Sequence, residues 1–153
     1  MANTYGLVGL RPAPEHVAGV AAPPYEIEKM GAEIRRLLAA NPKSLYHLIQ
    51  SQTPRKSLEK MRTQGWLIPD EEPCYYAYEQ VWQGHTRWGV LFSGEVSDYA
   101  QKQIIRHEKT FDDKVRDRIA LDNEIGHHIG PVFLITRALI SQVLRTYTGA
   151  KPL

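Results

Sequence analysis

Cysteine is almost absent: Cys74 is the only one in 153 residues. A single thiol cannot close an internal disulfide, and it excludes a cysteine-rich zinc site. It reads as a small buried side chain rather than a nucleophile. A reducing cytoplasm is therefore the expected compartment. Long apolar runs are missing as well. No stretch approaches the ~20 apolar residues that cross a bilayer, so no membrane partner is expected. The opening residues Met1-Ala2-Asn3-Thr4-Tyr5 lack the basic segment and apolar core of a secretory signal. Charge of one sign is scarce too. Nineteen Lys and Arg stand against seventeen Asp and Glu, a net +2, with only short basic groups such as Arg35-Arg36 and residues 102–106. Proteins that neutralise many phosphates usually carry a basic stripe, so the composition does not ask for nucleic acid. Repeats, low-complexity tracts and linkers are absent, which predicts one domain over residues 1–153.

What is present is an alternation of short elements. Four of the ten prolines lie in the first 24 residues and leave little room for regular structure beyond a short strand over residues 6–10. Ile27, Met30, Ile34, Leu37 and Leu38 have helical spacing, ended by Asn41-Pro42. Residues 44–49 read as a short strand. A second helix follows Thr53-Pro54, with Thr53 as cap, Leu58, Met61 and Trp66 inward, and Gly65 as its stop. Residues 74–82 and 85–96 form a hairpin around Gln83-Gly84. Residues 112–123 form a helix with Val115, Ile119 and Leu121 or Asp122 near its inner face. Residues 131–135 read as a buried strand, and residues 138–147 as a last helix. The order predicts an α/β or α+β domain: a mixed sheet with a central antiparallel hairpin and flanking helices.

The chemistry concentrates at Arg106-His107-Glu108-Lys109-Thr110, where a strand gives way to a helix. Loops held at strand ends are common homes for catalytic groups. The N–H groups of the following helix point back at this loop and favour an anion, phosphate above all. Lys109, Arg106 and Arg116 add positive charge. Glu108 or His107 is the candidate general base for a substrate hydroxyl. Thr110 is placed to cap the helix, to bind phosphate, or to do both. The same residues also read as an ordinary polar loop with a helix cap, and Asp113, Arg116 and Asp117 as surface ion pairs. His107-Glu108 does not open a zinc-protease motif, because the second histidine would fall at Phe111. His127-His128 lacks the spacing of metal ligands, and no metal site is expected. Pro23-Pro24 makes a stiff segment that sets Tyr25 and Glu26 beside a site or at a rigid edge.

Several motifs then coincide in one order: Ala22-Pro23-Pro24-Tyr25-Glu26-Ile27, Asn41-Pro42 with Leu48-Ile49, Tyr76-Ala77-Tyr78-Glu79-Gln80, His107-Glu108-Lys109-Thr110, Asp117-Arg118, and Pro131-Val132-Phe133. Together they resemble the bacterial and archaeal family numbered one thousand and fifteen among the domains of unknown function. Three positions depart from the family pattern. Glu26 stands for an aspartate, His47 for an arginine, and Lys109 for an arginine, which keeps the charge but loses the planar two-pronged grip on phosphate. Family members are longer, so the chain is expected to be the N-terminal part of a larger architecture.

The strand–loop–helix at His-Glu-Lys-Thr is also remotely similar to the phosphate-binding turn of the partition-protein B and sulfiredoxin-like superfamily. That resemblance implies Glu108 as base, with Lys109, Thr110 and Arg118 near phosphates; the sulfiredoxin reaction itself is disfavoured by the lack of a loop cysteine. The leading expectation is a nucleotide-dependent phosphotransferase acting on a small hydroxylated metabolite such as serine. It would use ATP or ADP with Mg, with Arg116 among the phosphate contacts and Tyr25, Glu26 and Asp117 near the substrate. The second is a non-catalytic module that binds a nucleotide or phosphorylated metabolite. The third is a nucleic-acid binder like the partition proteins.

Overall fold

A computed structural model describes residues 2–22, 31–106, 109–136 and 140–147. In chain order its elements are β1 (Thr4–Tyr5), β2 (Leu10–Pro12), α1 (Val17–Val20), α2 (Ala32–Ala40), α3 (Tyr46–Ile49), α4 (Pro54–Thr63), β3 (Leu67–Pro69), β4 (Tyr76–Trp82), β5 (His85–Leu91), β6 (Ser93–Gly94), α5 (Asp112–Ile125) and α6 (Ile140–Leu144). The class is α+β. Its strands form separate antiparallel ribbons, β1–β6, β2–β3 and β4–β5, and no parallel pair occurs among the described residues. The single mixed sheet expected above is thus divided. Pro12 and Pro69 end strands of three residues, and a proline cannot donate to a growing ladder. No described helix is long and apolar enough to cross a membrane.

Contacts group the residues into two compact units. One is built from Leu10–Pro69 and Thr110–Ile129, the other from the remaining described residues. The first holds the hydrophobic core: Val20, Leu48, Leu58, Met61, Leu67 and Ile125, with Leu10, Leu45, Trp66, Leu121 and Ile129 packed against it. Its geometry starts at Asn41. The Asn41 side-chain amide donates to the Gly19 carbonyl at 2.7 Å, and its Oδ1 accepts the Lys43 N–H at 3.1 Å. The Asn41 carbonyl accepts the Ser44 N–H at 3.1 Å and the His47 Nε2–H at 3.0 Å. Ser44, fully buried, accepts the Tyr46 N–H through its hydroxyl at 3.2 Å. These local bonds offer the backbone a turn instead of a ladder. They explain why residues 46–49 are helical rather than the strand their apolar character predicts.

From there α4 follows its sequence signals closely. Pro54 opens it, and Leu58 and Met61 are buried. Thr53 occupies the cap position without a side-chain cap bond. Gly65, at φ +68°, lets Trp66 N–H reach the Met61 carbonyl at 2.9 Å and Gly65 N–H reach that of Arg62 at 3.0 Å, the paired closure of a left-handed helix end. In α2 the apolar spacing meets little core: Ile34 and Leu37 are exposed, while Ile27 and Met30 lie outside the described residues.

In the other unit, β4 and β5 pair from Tyr76↔Leu91 to Trp82↔His85. Gln83 and Gly84 both have positive φ, 47° and 79°, the combination that matches a tight hairpin to strand twist. The base of β4 is tied to the N-terminal segment. The Tyr76 hydroxyl donates to the Asp70 carboxylate and accepts the Gly9 N–H at 2.9 Å, while Asp70 N–H donates to the Gly9 carbonyl at 2.9 Å. A Cβ on Gly9 would overlap the Tyr76 hydroxyl. Residues 131–135, expected as a buried strand, belong to no strand, and Val132, Phe133 and Ile135 are exposed. Apolar composition there gave no information about a pairing partner, which is what decides whether a short apolar run becomes a strand.

Truncating Leu48, which is 1% exposed, should cost about 2–5 kcal/mol in denaturant unfolding; a loss below ~1 kcal/mol would contradict this core. Gly9→Ala should destabilise by roughly 1–3 kcal/mol through overpacking, whereas Gly31→Ala, with open space around it, should be tolerated. The Tyr76 phenol is raised above its ordinary value, first by burial and then by its bond to Asp70. A raised folded value favours the protonated form. The stability it confers is therefore complete below pH ~10 and is lost as pH climbs through the folded value. Tyr76→Phe should flatten that alkaline decline in a pH series of unfolding midpoints; an unchanged decline would show that another group causes it.

Candidate functional site

The loop that carries the expected chemistry runs into α5, whose start at Asp112 agrees with the sequence reading. His107 and Glu108, the candidate base residues, and Tyr25 and Glu26 lie outside the described residues. Lys109 and Thr110 are exposed and lead to Phe111, which occupies the cap position. Thr110 therefore does not sit where a capping residue sits, and Phe111, which does, makes no side-chain cap bond to α5. Asp112 and Asp113 in the first turn supply negative charge at the positive end of the helix dipole.

Only the last turns of α5 pack. Ile125 is buried and Leu121 half-buried, while residues 111–120 are all exposed. Val115 and Ile119, expected near the inner face, are thus at the surface, because the core meets only the C-terminal end of this 14-residue helix. Arg116, Asp117 and Arg118 project from the free portion. At 3.6 residues per turn, Arg116 and Arg118 lie about 200° apart around the axis, so they occupy different faces. Asp112 and Arg116 share one face at the favourable i, i+4 spacing. The helix closes at Gly126, φ +72°. Beyond it the adjacent histidines take separate partners: His127 Nδ1–H donates to the Ile125 carbonyl at 2.9 Å and His128 Nδ1–H to Asp122 at 2.6 Å. No cluster of three or more metal-ligating side chains occurs among the described residues. Cys74 is half-buried and its backbone bridges to Leu7.

A second constellation was not legible beforehand. Within the first unit, α2, α3 and α4 border a cleft of about 360 Å³ whose lining includes Tyr46, His47, Gln50, Ser51, Ser57 and Lys60. The Asn41 turn fixes one of these lining residues, His47, through its Nε2. Trp66 is flanked by Lys43 and Lys60, each ammonium 5.9 Å from the ring centre. Reading residues 44–49 as a strand would send Tyr46, His47 and Leu48 to alternate faces. The observed helix instead groups Tyr46, His47 and Gln50 along the cleft.

Residues 6–153 match the family described as Protein of unknown function (DUF1015). The chain belongs to this family. The match corresponds to the family's N-terminal part, and no curated protein or solved structure matches the chain. The DUF1015 assignment places the Asn41-Pro42 turn, the Tyr76 tether and the Lys109-Thr110 loop inside one matched region, and each has a defined structural role or position here.

The uncapped helix start gives a direct check. Phe111→Ser should stabilise α5 by about 1 kcal/mol, since serine supplies the missing cap bond and the exposed ring is little loss. A lower unfolding midpoint would contradict this reading of the helix start.

Proposed function

We propose that this DUF1015 chain carries the phosphate-handling part of a nucleotide-dependent phosphotransferase acting on a small hydroxylated metabolite, with serine as the first acceptor to try. The observation that carries the reading is the N-terminus of α5, entered directly from Lys109-Thr110, whose cap residue Phe111 makes no side-chain cap bond. Backbone donors and the helix dipole suit a phosphate at that end, and the compact charge of Lys109 offsets Asp112 and Asp113 in the first turn. Arg116 follows on the same face as Asp112. Arg118, on another face of the helix, is a weaker phosphate contact by geometry. Phosphoryl transfer is mostly positioning and charge stabilisation, with Mg arriving on the ATP or ADP. Glu108 takes the role of base toward the acceptor hydroxyl and His107 assists, with Tyr25, Glu26 and Asp117 near the acceptor.

One observation favours a second reading, a module that binds a nucleotide or phosphorylated metabolite without turnover. Lys109, Thr110 and residues 111–120 are all exposed, and phosphoryl transfer profits from excluding water. A partition-protein-like nucleic-acid binder comes third and predicts affinity that falls steeply with salt.

Calorimetric titration with Mg-ATP tests the site. Lys109→Ala should weaken binding about tenfold through loss of a charge-assisted bond, while Glu108→Gln should bind normally and fail to transfer phosphate to serine. Unchanged affinity in Lys109→Ala would remove phosphate from this loop. Binding without transfer by the native chain would leave the module reading in its place.

A further inference from the structure

The α2–α3–α4 cleft presents unspent hydrogen-bonding capacity with no carboxylate in its lining. Its volume, about 360 Å³, lies at the small end of the ~300–1,000 Å³ typical of metabolite pockets. Ala39, Ala40, Pro42 and Met61 supply apolar wall. The polar groups are what give it a preference.

Ser51 is the clearest. Its Oγ accepts the Thr53 N–H at 2.9 Å and the Ser57 hydroxyl at 3.2 Å. The Ser57 hydroxyl has one proton and also reaches the Thr53 carbonyl at 3.5 Å, so Ser51 presents a hydroxyl with hydrogen-bonding capacity beyond its Thr53 bond. His47 is fixed in the complementary sense. Its Nε2 faces the Asn41 carbonyl, which only accepts, so Nε2 carries the proton and Nδ1 is the acceptor in the neutral ring. Lys60 brings a full charge. Among the described residues neither Lys60 nor Lys43 has a carboxylate at ion-pairing distance; their contacts are the Trp66 ring and, for Lys43, His16 Nδ1 at 3.1 Å. Two lysines flanking one aromatic ring without an acid leave a local excess of positive charge beside the cleft. Tyr46, Gln50 and Ser57 also line it.

We infer that this cleft is a binding site for a small organic oxyanion, a carboxylate or phosphate metabolite that also carries a hydroxyl or amine. Lys60 and the Ser51 O–H hold the oxyanion, and His47 Nδ1 accepts from the ligand's own donor. The site shares no residue with the Lys109–α5 loop and stands whether or not that loop binds phosphate.

The test is a pair of amide NMR titrations of the full chain, one with inorganic phosphate and one with succinate, each against sodium chloride of equal ionic strength. Saturable shifts at Gln50, Ser51 and Lys60 are expected, with affinity reduced about tenfold by Lys60→Ala and by Ser51→Ala. Both residues lie outside the buried core, so both variants should keep a dispersed spectrum, and the Lys60→Ala result stands if Ser51→Ala does not fold. A response to succinate alone identifies a carboxylate ligand, and a response to phosphate alone a phosphate. Shifts reproduced by chloride, or insensitive to Lys60→Ala, overturn the site. Shifts confined to residues 109–116 overturn it too, while leaving the loop reading intact.

Discussion

The Asn41 side chain and carbonyl are the constraint from which the first unit is organised. Four hydrogen bonds converge on this side chain and carbonyl. They join the end of α1 to the start of α3, orient the His47 ring, and let Leu48 drop into the core beside Val20. Half-buried polar groups of this kind stabilise most when every partner is present. Asparagine is suited to the task because its amide offers donors and an acceptor a short reach from the backbone. An aspartate would lose the donor to the Gly19 carbonyl, and a serine would lose one end of the bridge.

The second unit depends on a comparable knot at Tyr76. Its hydroxyl joins Gly9 to Asp70, and the close approach requires that position 9 have no side chain. Above this base the hairpin is largely solvated; Val81 and Trp82 are exposed. Both units therefore use polar tethers where small cores leave packing thin. A short core cannot fix every element by burial alone.

Much of this was legible in the sequence and some was not, for identifiable reasons. The hairpin, α4 and α5 follow from local signals: Gln83-Gly84, Thr53-Pro54 with Gly65, and the acidic first turn at Asp112-Asp113. The class α+β follows from their order, and the family from the order of the short motifs. Residues 44–49 were misread because apolar periodicity outweighed the Asn41 and Ser44 turn bonds, which only a three-dimensional neighbour such as Gly19 completes. Residues 131–135 and the pair Val115 and Ile119 were misread because composition records hydrophobicity but not what lies beside it. At the candidate site, Lys109, Thr110 and the helix start could be placed by pattern. The α2–α3–α4 cleft could not, since it assembles Ala39, His47 and Lys60 from three separate helices.

The account's central claim is that the residues leading into α5 meet a phosphate. Hydrogen exchange of the intact chain, with and without Mg-ADP, addresses it most directly. The first N–H groups of α5 should exchange quickly alone and become protected when the nucleotide is added, with residues 85–91 of the hairpin unchanged. Equal exchange at residues 109–116 in both conditions, at a nucleotide concentration of several millimolar, would contradict the claim and leave this loop as a solvated entry to a helix.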